Sequence, residues 1–185
     1  MTAARDRLIE ELRRHALVIG EVTLTSGATA QYYVDVKRAI LRPAGFGALG
    51  ELVAAYARRW EATAVGGLTM GADAPACAAL AGGADVKAFF VRKEAKPHGL
   101  QRRIEGPPLE VGERCLIVED VVTTGSSTVQ AIEAVRGEGH DLCGVVAILD
   151  RLAGGADAIV RAAAGAPYEA LTTIDEVFPD RADRT

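Results

Sequence analysis

The residues best equipped for chemistry lie between Cys115 and Thr128, in the run C-L-I-V-E-D-V-V-T-T-G-S-S-T. Glu119 and Asp120 set two carboxylates side by side, and Thr123, Thr124, Ser126, Ser127 and Thr128 crowd hydroxyls around Gly125. A hydroxyl-rich loop that opens a helix aims backbone N–H groups, side-chain donors and the positive end of the helix dipole at one point. That combination suits a phosphate. The neighbouring carboxylates suit the hydroxyls of a sugar or a metal-bound ligand. The chemistry that follows is the holding of a phosphorylated sugar, phosphate on the loop and ribose on the acids. Each part alone has a plainer reading, since such hydroxyls also cap helices and acids after a strand are usually solvated. It is their combination at this spacing that carries the reading. No G-x-x-x-x-G-K-[ST] occurs, and no G-x-G-x-x-G follows a strand, so neither a P-loop nor a dinucleotide fingerprint finds support.

These residues need a frame. Cys115 to Val118 form an apolar run expected as a strand buried on both faces, ending at the two acids. Val129, Ile132 and Val135 continue at helical spacing and predict a helix over 129–136. Three more buried strands are expected at 64–68, 86–91 and 144–149, with helices near 74–80 and 156–164. Residues 2–18 carry Leu8, Ile9, Leu12 and Leu17 near helical spacing. Residues 21–36, rich in Val, Thr and Tyr, predict two strands around Ser26 and Gly27, with one of Tyr32 and Tyr33 facing inward. Pro43 starts a helix through about residue 59, with Phe46, Leu49, Val53 and Tyr56 inward. Alternating strands and helices imply a mostly parallel sheet covered on both faces, whose ligands bind beyond the C-terminal strand ends.

Residues 92–111 break the alternation with Pro97, Gly99, Gly106, Pro107 and Pro108. Loops this long inside a compact domain are usually functional or disordered. Five basic residues (Arg92, Lys93, Lys96, Arg102, Arg103) face one acid, Glu94, within 92–103, in a chain of net charge −4. A solvated charged loop is the ordinary fate of such a run; beside a phosphorylated-sugar site, a cationic lid closing on an anion is the reading that uses it. At 185 residues and 49% hydrophobic content the chain is expected to be one globular α/β domain. The acidic balance disfavours general nucleic-acid binding, and no apolar run approaches a membrane span. The basic and acidic N-terminus has no signal-peptide character. Cys77, Cys115 and Cys143 read as buried small residues of a reducing compartment, so a cytoplasmic location is expected. His15 and His140 read as surface or helix-end residues.

The run at 115–128 resembles the phosphoribosyl-diphosphate (PRPP) motif of the type I phosphoribosyltransferases. V-R-K-E-A-K-P-H-G at 91–99, followed by I-E-G at 104–106, resembles more narrowly the catalytic loop of the orotate phosphoribosyltransferases. S-G-A-T-A-Q-Y-Y-V-D at 26–35 is similar to the base-binding signature of that family, and Asp150-Arg151 matches a pair ending a later strand. The matches run in order from about Leu24 to Arg151. The resemblance implies a single-domain fold over 1–185, with a mostly parallel central sheet flanked by helices. An N-terminal base-binding hood over about 1–40 and a long flexible lid loop at 92–110 would complete it.

It also implies site roles. Arg92, Lys93, Lys96, His98, Glu119, Asp120, Val121, Val122, Thr123, Thr124, Gly125, Ser126 and Ser127 would bind PRPP, with Lys96, His98 and Asp120 catalytic. Thr123, Arg151, Tyr33 and Val34 would bind orotate, the arginine fork matching its carboxylate. Mg²⁺ would accompany PRPP, held mainly by substrate and water rather than by protein ligands. The active unit would be a homodimer with each lid serving the partner, and no nucleic acid or membrane would be involved. The reaction implied is transfer of ribose 5-phosphate from PRPP to orotate, giving orotidine 5′-monophosphate and diphosphate on the route to UMP. Two positions depart from the family pattern: Thr25 stands where many members carry Lys, and Gly67–Gly71 offer mainly backbone where many carry a basic or aromatic side chain. Two alternatives keep the PRPP motif, a purine-type transferase and a non-catalytic PRPP-sensing regulator. The first should lack the K-E-A-K-x-H-G lid, and the second should lack a lid and add a basic surface.

Overall fold

The structure, a computed structural model, describes residues 1–23, 29–94, 103–181 and 183. Helix α1 (Thr2–His15) buries Ala4, Leu8 and Leu12, one residue per turn on one face. It ends before Leu17, because residues 17–23 pair as strand β1 (Leu17–Thr23) with β2 (Thr29–Val34) in an antiparallel ribbon. The expected helix over 2–18 is therefore shorter by the residues that the ribbon claims. The short helix α2 (Lys37–Ile40) was not expected; Val36, Ala39 and Ile40 are fully buried and fix it to the core. Helix α3 (Pro43–Arg59) begins at its proline and buries Leu49, Val53 and Tyr56 as expected.

The remaining strands build the main sheet: β3 (Ala64–Leu68), β4 (Lys87–Val91), β5 (Ile104–Glu105), β6 (Arg114–Val122), β7 (Asp141–Asp150) and β8 (Tyr168–Thr173). Among the described residues their order is β5-β4-β3-β6-β7-β8, with every pair parallel except β4 with β5. The helices between them are α4 (Asp73–Ala81), α5 (Ser126–Gly137), α6 (Gly155–Ala163) and α7 (Ile174–Val177). On one face of the sheet Leu116, Val118 and Ile148 pack with Leu8, Leu49 and Val53. On the other, Cys115, Ile117 and Val145 pack with Ile132, Val135 and Ile159.

Three differences from the sequence expectations have physical causes. Strands β6 and β7 run longer than 115–118 and 144–149, because they are neighbours in the middle of the sheet and stay paired as far as Val122 and Asp150. The loop at 92–111 is not patternless, since β5 within it pairs back onto β4 through Val91 and Ile104. Strand β8 and the capped turn α7 were not expected, for β8 is half-buried and carries no clean alternation. Of the cysteines, Cys115 and Cys143 are buried, and burial pushes their thiols up to about 12 and about 11. Cys77 is exposed, on the outward face of α4. His140 is buried as well, with Nδ1 3.0 Å from the Glu110 carbonyl. Among the described residues no helix is long and apolar enough to cross a membrane.

Candidate active site

Strand β6 is buried from Cys115 to Asp120, so the two acids lie inside the strand rather than after it. Successive side chains on a strand point to opposite faces. Glu119 follows Cys115 and Ile117 towards α5, where its Oε2 accepts a 3.0 Å hydrogen bond from Thr128 Oγ1. Asp120 follows Leu116 and Val118 to the other face. Its Oδ2 is 3.0 Å from Lys37 Nζ, and its Oδ1 accepts the Val121 N–H at 2.8 Å. Only 4% of Glu119 is exposed. Its burial first, and then the Asp120 charge, hold its carboxyl well above the usual carboxylate range. Gly71 lies directly over the pair: a Cβ there would come within 2.6 Å of Asp120 Oδ1 and 2.9 Å of Glu119 Oε1. A glycine is therefore what lets the β3–α4 turn close on the acids.

Beyond β6 the chain turns through Thr123 and Thr124 into Gly125, whose φ of 77° is left-handed. A Cβ at Gly125 would also lie 2.6 Å from the Gly155 carbonyl. Helix α5 starts at Ser126 with no side-chain cap and no acid in its first turn, so its N-terminal donors are not spent on the protein's own carboxylates. Glu119, Thr123, Thr124, Gly125, Ser126 and Ser127 line a cavity of about 140 Å³ in front of that turn. Its geometry suits an anion. Val121 also lines it. Val122 does not: its side chain is buried and its carbonyl accepts the Arg151 N–H at 2.9 Å.

Arg151 follows β7, and Asp150 is held by Tyr168 Oη at 2.8 Å and by the Leu152 N–H at 2.8 Å. The guanidinium of Arg151 stands 5.5 Å from the Tyr32 ring centroid, with Nη2 3.5 Å from Tyr32 Oη. A second cavity of about 610 Å³ opens here, lined by Ile19, Gln31, Tyr32, Arg151 and Phe178 among others. Tyr32 sits edge-on to Phe178 at 5.3 Å. It is Tyr32, not the expected Tyr33, that the structure brings to Arg151. The strand alternation leaves Tyr33 40% exposed on the opposite face, outside the cavity lining, while Val34 shares the face of Tyr32 but is buried in the core.

A third cavity, about 560 Å³, is lined by Thr69, Met70, Arg92, Lys93 and Glu94. Arg92 and Arg103 are clasped together, the Arg92 N–H donating to the Arg103 carbonyl at 2.8 Å and Arg103 Nε to the Arg92 carbonyl at 3.0 Å. Glu138 Oε1 accepts the Arg103 and Ile104 N–H groups and ties this clasp to α5. Lys96, His98 and Thr25 lie outside the described residues.

Sequence reasoning missed Lys37. Its ammonium is held by Asp120 and, at 3.3 Å, by Asp35. Burial alone would lower its pKa; Asp120 and Asp35 outweigh that and raise it, so it is a cation at any physiological pH. The signal lay two residues beyond the 26–35 signature, in the Asp35–Lys37 spacing.

No family model matches the chain. Among curated proteins it is similar to the orotate phosphoribosyltransferase of Corynebacterium glutamicum (strain R), 47% identical over 175 residues and covering 94% of each chain. Among solved structures it is similar to Mycobacterium tuberculosis orotate phosphoribosyltransferase in complex with Fe(III) dicitrate. There the TM-score is 0.85 and the identity 41%, over 95% of this chain and 99% of that one. The M. tuberculosis enzyme in complex with PRPP is similar at TM-score 0.78 and 37% identity, over 94% and 98%.

Proposed function

The chain belongs to the orotate phosphoribosyltransferase family, and from that premise we propose how its residues divide the work. It transfers ribose 5-phosphate from PRPP to orotate, the PRPP-dependent step of pyrimidine biosynthesis. Of the three readings open to the sequence, family membership selects the pyrimidine transferase.

The observation that carries the assignment of roles is the single edge shared by the anion cavity of α5, the paired acids of β6 and Arg151 after β7. The 5-phosphate goes to the N-terminus of α5, with Thr123, Thr124, Gly125, Ser126 and Ser127 around it. Asp120, with Glu119 behind it, takes the ribose hydroxyls. Orotate enters the cavity at Arg151, whose fork pairs with the base carboxylate, and Thr123 and Tyr32 flank it. Diphosphate lies towards Thr69 and Met70, with Arg92 and Lys93 at its edge and Lys96 and His98 brought by the lid.

Breaking the C1–O bond develops positive charge on the ribose and negative charge on the leaving diphosphate. Donors and cations already in place at those oxygens lower the barrier. Lys96 and His98 are assigned to the departing charge, an imidazolium being able to give a proton to a diphosphate oxygen. Asp120 fixes the sugar so that C1 faces the base. Lid closure excludes the water that would hydrolyse PRPP.

Mg²⁺ is the proposed companion of PRPP. The carboxylate of Asp120 is an oxygen donor of the kind a hard cation takes. We propose that PRPP and water supply most of its ligands. When bound it neutralises diphosphate charge. We also propose a homodimer in which each lid serves the partner's site, and a cytoplasmic location.

The test is steady-state turnover with PRPP and Mg²⁺ across bases. Orotate should react while uracil, adenine and hypoxanthine do not. Equal turnover of uracil would remove Arg151 as the selector of the carboxylate.

A further inference from the structure

We propose that Lys37 is a substrate-positioning residue that reads the diphosphate of PRPP, leaving its pairing with Asp120 for the diphosphate oxygens when the sugar binds. The proposal rests on the PRPP reading of Asp120 and the α5 loop.

The first ground is stereochemical. In 5-phospho-α-D-ribosyl 1-diphosphate the diphosphate and the two ring hydroxyls project from the same face of the ribose. The acid that takes those hydroxyls is Asp120, and Lys37 Nζ is 3.0 Å from it. With the ribose on Asp120 as proposed, the ammonium lies towards the face of the sugar that also carries the diphosphate. Gly71, at the turn facing the diphosphate, lies against the other oxygen of the same carboxylate. Asp120 is thus flanked by the β3–α4 turn on one side and by the cation on the other.

The second ground is a charge deficit. Residues 67–73 carry no basic side chain, and the one ionisable group among them is Asp73 in the first turn of α4. That acid opposes an anion at this helix end. A diphosphate drawn to the β3–α4 turn needs cations from other elements. Arg92 and Lys93 line the third cavity; Lys37 Nζ lies beside Asp120, 3.0 Å from its carboxylate.

The third ground is the way the side chain is mounted. Val36, Ala39 and Ile40 are fully buried, so the backbone under Lys37 is fixed, while the Lys37 side chain is 38% exposed. A rigid base with a half-exposed, charged tip is the arrangement of a group that can exchange partners. Two carboxylates hold the ammonium in the free protein, Asp35 and Asp120. Once ribose hydroxyls donate to Asp120, Asp35 still steadies the ammonium, and diphosphate oxygens are the stronger remaining acceptors.

The experiment compares Mg²⁺–PRPP, ribose 5-phosphate and inorganic diphosphate by titration calorimetry on the wild type, Lys37→Met and Lys37→Arg, with Tm recorded for each. Loss of a charge-assisted hydrogen bond predicts that Lys37→Met weakens PRPP and diphosphate by about tenfold or more. Ribose 5-phosphate should change by less than about threefold, and Lys37→Arg should recover most of the PRPP loss. If Lys37 serves only to orient Asp120, PRPP and ribose 5-phosphate weaken equally, and that result overturns the proposal. Unchanged PRPP affinity in Lys37→Met overturns it as well. A wild type that fails to bind PRPP sinks the PRPP reading and this proposal with it, whereas the other two results leave that reading standing. Should Lys37→Met lose its fold, Lys37→Gln, which keeps a polar end, carries the same comparison.

Discussion

Two strand-to-helix turns stand side by side at the C-terminal edge of the sheet, and they differ in almost everything but position. The turn from β6 into α5 ends in a helix with no acid in its first turn and hydroxyls at Thr124, Ser126 and Ser127. The turn from β3 into α4 ends in a helix that begins with Asp73, and Thr69 Oγ1 donates to that carboxylate at 2.9 Å. The first leaves its helix end for an external anion. The second closes on itself, and on the proposed reading its anion takes cations from Lys37, Arg92, Lys93 and the lid. On the proposed assignment, the same local architecture holds one end of the substrate permanently and leaves the other end to groups that arrive. In a transferase that division is useful, because the 5-phosphate stays with the sugar while the diphosphate must leave.

The largest expected effect breaks the permanent end. Gly125→Val places a side chain against the Gly155 carbonyl at a positive φ, and it should lower kcat/KM for PRPP by about 100-fold or more through loss of the α5 donors. The matching change at the other turn, Met70→Ala, touches an exposed side chain and should change kcat/KM by less than about threefold. Comparable losses in the two variants would show that the turns are not functionally different.

Next come the arriving groups. Lys96→Ala and His98→Ala should each lower kcat by about two orders of magnitude, with Tm within a degree or two, as exposed loop residues contribute little stability. Near-normal kcat in both would reduce the basic run to a solvated loop. A mixed dimer sharpens this. Lys96→Ala in one subunit and Asp120→Asn in the other should regain about half the wild-type activity if lids act across the interface and sites are independent. No recovery in verified hybrids would assign each lid to its own subunit.

A smaller effect tests Asp73. Removing its charge while keeping the hydrogen bond from Thr69, as Asp73→Asn does, should tighten inorganic diphosphate by up to about fivefold, the scale of one charge at a helix end. Weaker binding would contradict the opposition between the two helix ends. The smallest effect concerns stability. The Glu119 carboxyl titrates in the folded protein above its ordinary value, at about 8. Its raised value favours folding below the unfolded pKa, and that contribution is lost as pH rises through the folded one. The stability of wild type relative to Glu119→Gln should therefore fall between about pH 4.5 and pH 8, measured by denaturant unfolding. A difference that stays flat over that range would show the carboxyl to be ionised throughout.

The phosphate end is legible in the order of residues, because everything that makes it is contiguous. An apolar run, two acids, a glycine among hydroxyls and a periodic segment occupy Cys115 to Val135, and local backbone geometry turns that order into strand, turn and helix. The sheet is legible for a similar reason: buried parallel strands are apolar throughout, and Ala64–Leu68 and Cys115–Val118 announce themselves. Arg151 can be placed at a strand end from its neighbours, though not what it meets there.

What the order of residues left undecided was decided by packing between distant segments. Lys37 and Asp120 are 83 positions apart, and nothing near either one names the other; they meet because buried Val36 and Ile40 lock α2 beneath the end of β6. Alternation in β2 requires Tyr32 and Tyr33 to face opposite ways. Which of them turns inward follows from where Phe178, at the far end of the chain, comes to rest. His140 is buried because the chain around Glu110 covers it. Local sequence thus determined the main strands and helices and where a phosphate can sit, since those depend on neighbours within a turn or a strand. The cation beside Asp120 and the tyrosine beside Arg151 are products of long-range burial, which no short stretch of sequence contains.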